Sequence, residues 1–332
     1  MSNHQTMTSI SRNNKGFALI LTILIVSLLM VLILRFNSNM WAGLYSSANL
    51  RDTIRLGLIA RSGINCALAV LSEDASASSS DSLTETWAQS KVLSLNSTTM
   101  FENGRFDVSI SDLSGKIQIN QLVNKDGEYN EVQKLFLARF LSLESFHLES
   151  EAVGNLIDAI KDWIDPDSEE TRFGAENGYY QSLQTPYTCK DGPIDSLGQL
   201  RLIKGMTHAL FFGSDDTPGI SDHLTIYGDG KININTADPL ILRALSDDID
   251  AEMVQDMMAY RLNEKNDLTD PEWYRNVPGM GHVRIDPGLI KTSSDIFEIR
   301  SAGMADTMSR QTTAVVKREG KSSVQIVAWK AE

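Results

Sequence analysis

Between Glu144 and Glu176 the chain carries ten carboxylates against two full positive charges, Lys161 and Arg172. A helix through Asp158, Asp162 and Trp163 would set the two aspartates one turn apart on one face, and Pro166 would end it. The loop beyond, DPDSEETRFGAENG, offers Asp165, Asp167, Glu169, Glu170 and Glu176. Hard oxygens crowded on a loop shaped by Pro and Gly suit calcium, which takes about six to eight oxygen ligands. Transition metals favour imidazole or thiolate, and His147 stands well upstream. The loop lacks the spacing of an EF-hand, so composition alone leaves a solvated acidic loop and a calcium loop equally open. Asp165, Asp167, Glu170 and Glu176 are the first candidate ligands, with Asp162 and Glu169 behind them.

The same carboxylates admit a catalytic reading, with Asp162 and Asp165 as the acid and base of a periplasmic, glycosidase-like hydrolase. Such a pair needs a cleft and a raised pKa, and nothing in the sequence marks one. No G-x-S-x-G, H-E-x-x-H, P-loop or Rossmann fingerprint accompanies it, and the histidines are scattered. The expectation is a protein that is not an enzyme.

A third possibility lies in GKININTADPLILRALSDDIDAEMVQDMMAYRL. Asn235 or Thr236 is expected to cap a helix opening on Asp238 and Pro239, and a second helix is expected over Ala251 to Leu262. The pair is similar to the helix-hairpin-helix of DNA-binding proteins, which would suit a membrane-tethered DNA receptor of competence type. A phosphate site there wants glycine amides and flanking cations, yet the turn Ser246-Asp247-Asp248-Ile249-Asp250 has three carboxylates and no glycine. A formal charge of -13 over 332 residues repels polyphosphate as well. No nucleic-acid partner is expected.

The elements that hold these groups follow from periodicity. Residues 17–34, FALILTILIVSLLMVLIL, are long enough as a helix to cross a bilayer. Arg12 and Lys15 precede the run and Arg35 follows it, which keeps the short N-terminus in the cytoplasm. Apolar Leu50, Ile54, Leu58 and Ile59, then Cys66, Ala67, Val70 and Leu71, continue one helix of roughly fifty residues, with Gly43, Gly57 and Gly63 as weak spots. A loop over 72–82 and a short helix over Leu83 to Leu93 come next. Phe106, Val108 and Ile110, then Ile117 and Ile119, alternate as a hairpin around a Ser-Gly turn. Helical spacing fills Asn130 to Ile164, and DIFEIRSAGM, RQTTAVVKREG and SSVQIVAWK read as closing strands. Strands that bracket a helical middle imply an α+β chain: one antiparallel sheet on the long helix, with a helical domain inserted between its strands. GKIQINQL echoes GKININTA, each a Gly-Lys turn feeding a strand and then an Asn, although ordinary strand-to-helix corners would look the same. Cys66 and Cys189, with no CxxC, make neither a zinc site nor a disulfide framework.

The polar leader ending Lys15-Gly16, then Phe17 and an apolar run opening an unbroken helix, resembles a type IV prepilin signal. That resemblance implies cleavage by a prepilin peptidase between Gly16 and Phe17 and methylation of the new Phe17 amine. Pilin-like subunits usually carry a glutamate where this chain has Leu21. The missing glutamate, the SGKIQINQL strand, the DWIDPDSEETRFGAENGYY block, the GKININTA turn and the closing strands together resemble the K-type minor pseudopilins of type II secretion. The family implies a pilin-like fold laid out as leader 1–16, transmembrane segment 17–35 and amphipathic helix 36–74. It further implies a first sheet part 75–122, an inserted helical domain 123–225, a SAM or helix-hairpin-helix-like part 226–284, and closing strands 285–332. It implies a single-pass inner-membrane subunit with a periplasmic domain, at the tip of the pseudopilus, helping to initiate assembly and protein export across the outer membrane. The partners implied are I- and J-type minor pseudopilins, the major pseudopilin, the prepilin peptidase, and the secretin or an exported substrate. Calcium in the inserted domain is implied too, which favours the calcium reading of the acidic loop.

Overall fold

The structure, a computed structural model, describes residues 14–320 and 323–331. Most of the expected leader therefore lies outside the described residues. The chain divides into two units, Met1–Arg55 and Leu56–Glu332. Helix α1, Asn14–Ala77, contributes to both. In the first unit it is the one helix among the described residues long and apolar enough to cross a membrane. No proline interrupts α1, and Thr22 folds its hydroxyl back onto the Leu19 carbonyl at 2.8 Å, so its polar group is satisfied within the apolar run.

The second unit begins with the amphipathic end of α1. Turns lead to α2 (Lys91–Asn96) and strand β1 (Arg105–Asp112). The short β2 (Ile117–Gln118) opens a helical insert with α3 (Glu131–Leu141), α4 (Ser150–Ile164), α5 (Asn177–Gln181) and α6 (His208–Phe212). β3 (Leu224–Thr225), β4 (Ile232–Asn233), α7 (Pro239–Ala244), α8 (Ala251–Arg261) and β5 (Ile290–Lys291) complete it. The chain closes with β6 (Ile296–Ala305), β7 (Met308–Glu319) and β8 (Ser323–Ala331).

The main sheet runs β1-β6-β7-β8, antiparallel throughout, so β1 and β6 are neighbours although the whole insert lies between them in sequence. The α1 face buries Leu56, Ile59, Ile64, Ala67 and Leu71 against Phe106, Val108, Ile110, Phe297, Ile299, Ala314 and Val316. β1 alternates buried and exposed positions because one face meets the helix. The outer edge of β1 is blocked: Phe106 N donates to Ser97 Oγ at 3.1 Å and Val108 N to Ser94 Oγ at 2.9 Å. The helix expected over Leu83 to Leu93 is instead turns followed by α2, because Ser94 and Ser97 must reach that edge.

Gly63 is not a weak spot but a point of close approach. A Cβ there would overlap Ser301 Oγ and sit 3.0 Å from Phe106, whereas Gly43 and Gly57 meet nothing within 4 Å. Opposite, a Cβ at Gly303 would overlap the Leu56 carbonyl and lie 2.9 Å from Ala60 N. Gly303→Ala is therefore expected to destabilise the second unit by about 1–3 kcal/mol through overpacking, read as a lower urea midpoint with an unchanged slope.

The hairpin expected from Phe106 to Ile119 does not form. β1 pairs with β6, while Ile117 and Gln118 pair in parallel with Leu224 and Thr225. Alternation marks a half-buried strand without naming its partner. Ile117, Ile119 and Leu122 accordingly belong to the insert's core, as do Ile285, Leu289 and Ile290, so the insert runs from the end of β1 to the start of β6. The expected borders at 122/123 and 284/285 lie inside that core, and residues on both sides of 225/226 share it. The echoed segments are structural equivalents: Ile232 and Asn233 pair in parallel with Ile290 and Lys291, as Ile117 and Gln118 do with β3. Asn120 exchanges two hydrogen bonds with Ile194 (3.0 and 2.7 Å), and Asn235 donates to Leu268 O at 3.1 Å, so each asparagine ties its corner to a later loop.

Candidate functional site

Helix α4 buries Val153, Leu156, Ile157, Ile160, Trp163 and Ile164, and its last turn carries Asp162 and then Asp165 as the C-cap. Extended backbone at Asp165 and the following Pro166 turn the chain into the acidic loop. Asp162 sits at 0% exposure and accepts from Thr171 N with both oxygens, each at 3.1 Å, pulling the loop back over the helix. A Cβ at Gly174 would overlap Asp162 Oδ2, so glycine is what lets the loop close. Asp158 instead accepts from the Tyr129 hydroxyl at 2.5 Å.

Three of the six candidate ligands meet. Asp165, Asp167 and Glu176 place one carboxylate oxygen each within 4.8 Å of one another. A second set, Glu176, Cys189 and Asp191, shares Glu176. The buried atoms of these sets are short of donors: Asp165 Oδ1, both Glu176 oxygens and Asp191 Oδ1 have no hydrogen-bond partner among the described residues. Lys161 donates to Asp165 Oδ2 and brings a cation to the cluster. Burial pushes the Asp162 and Asp165 carboxyls up, and Glu176 rises to about 7 through burial first and then the neighbouring carboxylates. Orphaned, mutually repelling carboxylate oxygens fit a hard divalent cation.

The other three candidates, Glu169, Glu170 and Asp162, stand apart from these sets. Glu169 and Glu170 are exposed and stand outside both sets. Asp162 is adjacent but its oxygens are committed to Thr171 N. Asp191, missed in the sequence, comes in on a turn with φ 48°, and its only sequence signal is the Asp191-Gly192 turn pair. Cys189 is buried, and its thiol is pushed up to about 12, chiefly by burial. Cys66 and Cys189 are both free. Asp162 and Asp165 are sealed from solvent at 0% exposure, which leaves no room for a substrate between them.

A third acidic set, Asp74, Asp81 and Glu85, already has donors from the protein. Arg318 donates Nη1 to Asp81 at 2.6 Å and Nη2 to Asp74 at 2.9 Å, while Glu85 accepts from Trp87 Nε1 at 2.8 Å.

In the α7–α8 hairpin, Asp238 itself is the N-cap of α7, accepting from Leu240 N at 2.8 Å, with Pro239 at the first helical position. Asn235 and Thr236 do not cap it: Asn235 accepts from Trp273 Nε1 at 2.7 Å, and Thr236 donates to Asp112. Asp250 caps α8 through Met253 N, and Asp247 pairs with Arg139 at 2.7 Å. Arg261 points inward to the carbonyls of Ile234 (3.2 Å) and Ala237 (2.6 Å). The hairpin thus offers a phosphate three turn carboxylates, and its buried arginine supports backbone.

Residues 115–212 match the family described as Type II secretion system (T2SS), protein K. The chain is 25% identical over 205 residues to the Type II secretion system protein K of Klebsiella pneumoniae, covering 60% of this chain and 61% of that relative, less than two thirds of its length. It is 24% identical over 336 residues to the Type II secretion system protein K of Aeromonas hydrophila, covering 95% and 96%. Among solved structures it is similar to a chain of the GspK-GspI-GspJ complex from the enterotoxigenic Escherichia coli Type 2 Secretion System, with a TM-score of 0.68 and 17% identity. That match covers 86% of this chain and 99% of the other, and it is a likeness of fold.

Proposed function

Because the chain belongs to the type II secretion system protein K family, we propose that it is a minor pseudopilin at the tip of the pseudopilus. There it helps to initiate assembly and export across the outer membrane, without being an enzyme. The observation that carries this reading is one chain joining a membrane-length apolar helix to a pilin-type sheet, with a large helical insert spliced between adjacent strands β1 and β6. The apolar half of α1 anchors the chain once in the inner membrane, with the N-terminus cytoplasmic and the sheet and insert periplasmic.

A prepilin peptidase cleaves between Gly16 and Phe17, and the Phe17 amine is methylated. Leu21 stands where pilin-like subunits carry a glutamate that pairs with the terminal amine of a neighbouring subunit; it cannot make that pair, as suits a subunit with no neighbour above it. In the membrane α1 exchanges lipid for helix contacts with I- and J-type minor pseudopilins, and the major pseudopilin extends the filament below. The insert, at the tip, meets the secretin or an exported substrate.

Calcium is the cation proposed for the acidic loop, held by Asp165, Asp167 and Glu176 with Asp191 alongside. When bound it would supply the positive charge that lets the 165–176 loop and the 191 turn stay together. The protein's own contribution is the fixed geometry: Thr171 N on Asp162, Gly174 beneath it, and Lys161 holding Asp165.

Co-expression with tagged I- and J-type minor pseudopilins tests the assignment. A ternary complex recovered from membranes, with export restored in a strain lacking its K-type subunit, is the expected result. A chain that stays alone and leaves export unrestored would refute it.

A further inference from the structure

A strip of aromatic and cationic side chains crosses the surface of the insert beside the acidic loop. Phe173 (45% exposed), Tyr179 (37%), Leu202 (45%) and Phe212 (51%) are its apolar members. A cation lies over each ring: Arg172 is 4.7 Å from the Phe173 centroid, Lys204 is 5.1 Å from Tyr179, and Arg201 is 5.2 Å from Phe212. Contacts tie its members together, in part through the buried ring of Tyr180. Lys204 Nζ also donates to the Gly174 carbonyl at 2.7 Å, joining the Phe173 end to Tyr179. The Tyr179 ring touches Tyr180, Tyr180 touches Tyr187, and the Tyr187 hydroxyl donates to Leu202 O at 2.7 Å, next to Arg201.

The charge pattern is the unusual part. The chain has 43 acidic side chains against 30 basic, yet among the described residues the ion pairs include none to Arg172, Arg201 or Lys204. Asp215 and Asp216, on the loop after α6, do not pair with them either. A guanidinium stacked on a ring keeps its N–H edges free for a carboxylate fork, and the ring holds it in place. Single exposed apolar residues need no explanation, but exposed aromatics joined to arginine form the composition of binding hot spots.

We propose that this strip docks an acidic, aromatic-bearing segment of a partner protein. Carboxylates of the segment take the free edges of Arg172 and Arg201, and its ring lies on Phe212 and Leu202. The inference goes beyond the pseudopilin reading and stands without it.

The test uses the full-length protein in detergent and a fluorescent synthetic peptide that alternates Asp and Glu with Phe and Tyr, followed by anisotropy. Saturable, salt-weakened binding is expected. Arg172→Glu with Arg201→Glu, and separately Phe212→Ser, should weaken it about tenfold or more, whereas Arg105→Glu, exposed on β1, should leave it unchanged. All these positions are exposed, and unchanged melting temperatures will show that the variants are folded. The proposal is overturned if the acidic peptide does not bind, if the variants bind it as wild type does, if a peptide with Lys in place of the acids binds equally well, or if a single-stranded oligonucleotide binds more tightly.

Discussion

Arg318→Met is expected to lower the melting temperature of the second unit by on the order of 10 °C. Arg318 is 9% exposed and serves two carboxylates that are themselves buried, Asp74 at 10% and Asp81 at 4% side-chain exposure. Its guanidinium also lies 4.7 Å over the Phe297 ring, and its backbone N donates to Asp295 O at 2.7 Å. Asp81 in turn accepts from Ser294 N at 2.7 Å, and Ser294 donates to the half-buried Asp112, whose carboxyl is pushed up chiefly by desolvation. One arginine therefore ties together the place where the end of α1, the sheet and the insert's return all meet. Removing one partner of a buried pair costs about 3–5 kcal/mol, because the remaining charges are left uncompensated. At roughly 2–4 °C per kcal/mol for a unit of this size, the shift is large.

The same variant has a pH signature. Burial, and then Glu85, already pushes Asp74 up to about 6 with Arg318 in place. A folded-state pKa above the unfolded value of 3.8 means that the folded protein keeps a proton the unfolded chain has lost, so stability declines as pH rises from about 4 through 6. Without Arg318 the Asp74 carboxylate is costlier still. The melting deficit of Arg318→Met should be deepest at neutral pH and shrink below pH 6, and Asp74→Asn in the same chain should recover part of it. A deficit independent of pH would show that lost packing, not lost charge, is responsible.

Millimolar calcium is expected to raise the melting temperature of chelator-treated protein by several degrees, and Glu176→Gln to abolish the response. Binding to the folded state alone contributes about 2.7 kcal/mol when the free ion is at a hundred times its dissociation constant. Glu176 is the residue shared by both acidic sets, and both its oxygens lack a donor. In cation-free protein its carboxyl is raised to about 7 from 4.5, so stability falls as pH climbs between those values and the ion must displace a proton below pH 7. Calcium should thus stabilise most at pH 8 and least at pH 5. Glu170→Gln, exposed and outside the cluster, should respond to calcium as wild type does. An unshifted melting curve at pH 8 would remove calcium from the account.

The long helix, the closing strands and the centre of the acidic loop were legible because each rests on local signals: an apolar run without proline, alternation with period two, and carboxylates spaced along one loop. Asp165, Asp167 and Glu176 could be proposed from chain proximity. Asp191 could not, since its approach to Glu176 depends on the path of the chain beyond α5. Nor could Arg318 be matched to Asp74 and Asp81, more than two hundred positions earlier. The misplaced hairpin shows the same limit. Ile117 and Ile119 alternate as a β1 partner would, but the partner is Leu224–Thr225, supplied by the insert. Gly63 and Gly303 are mild costs by propensity and necessities by contact, because the helix backbone meets sheet side chains at Gly63 and the sheet backbone meets the helix backbone at Gly303.

The central claim is that this chain is processed and assembled as a pilin-like subunit, and the intact mass of the membrane-extracted protein tests it most directly. Expressed with an active prepilin peptidase, the chain should lose residues 1–16 and begin at Phe17, carrying one added methyl. Expressed without the peptidase it should begin at Met1. A chain that keeps Met1 in the presence of the peptidase, or one cut beyond the apolar segment, would contradict the account.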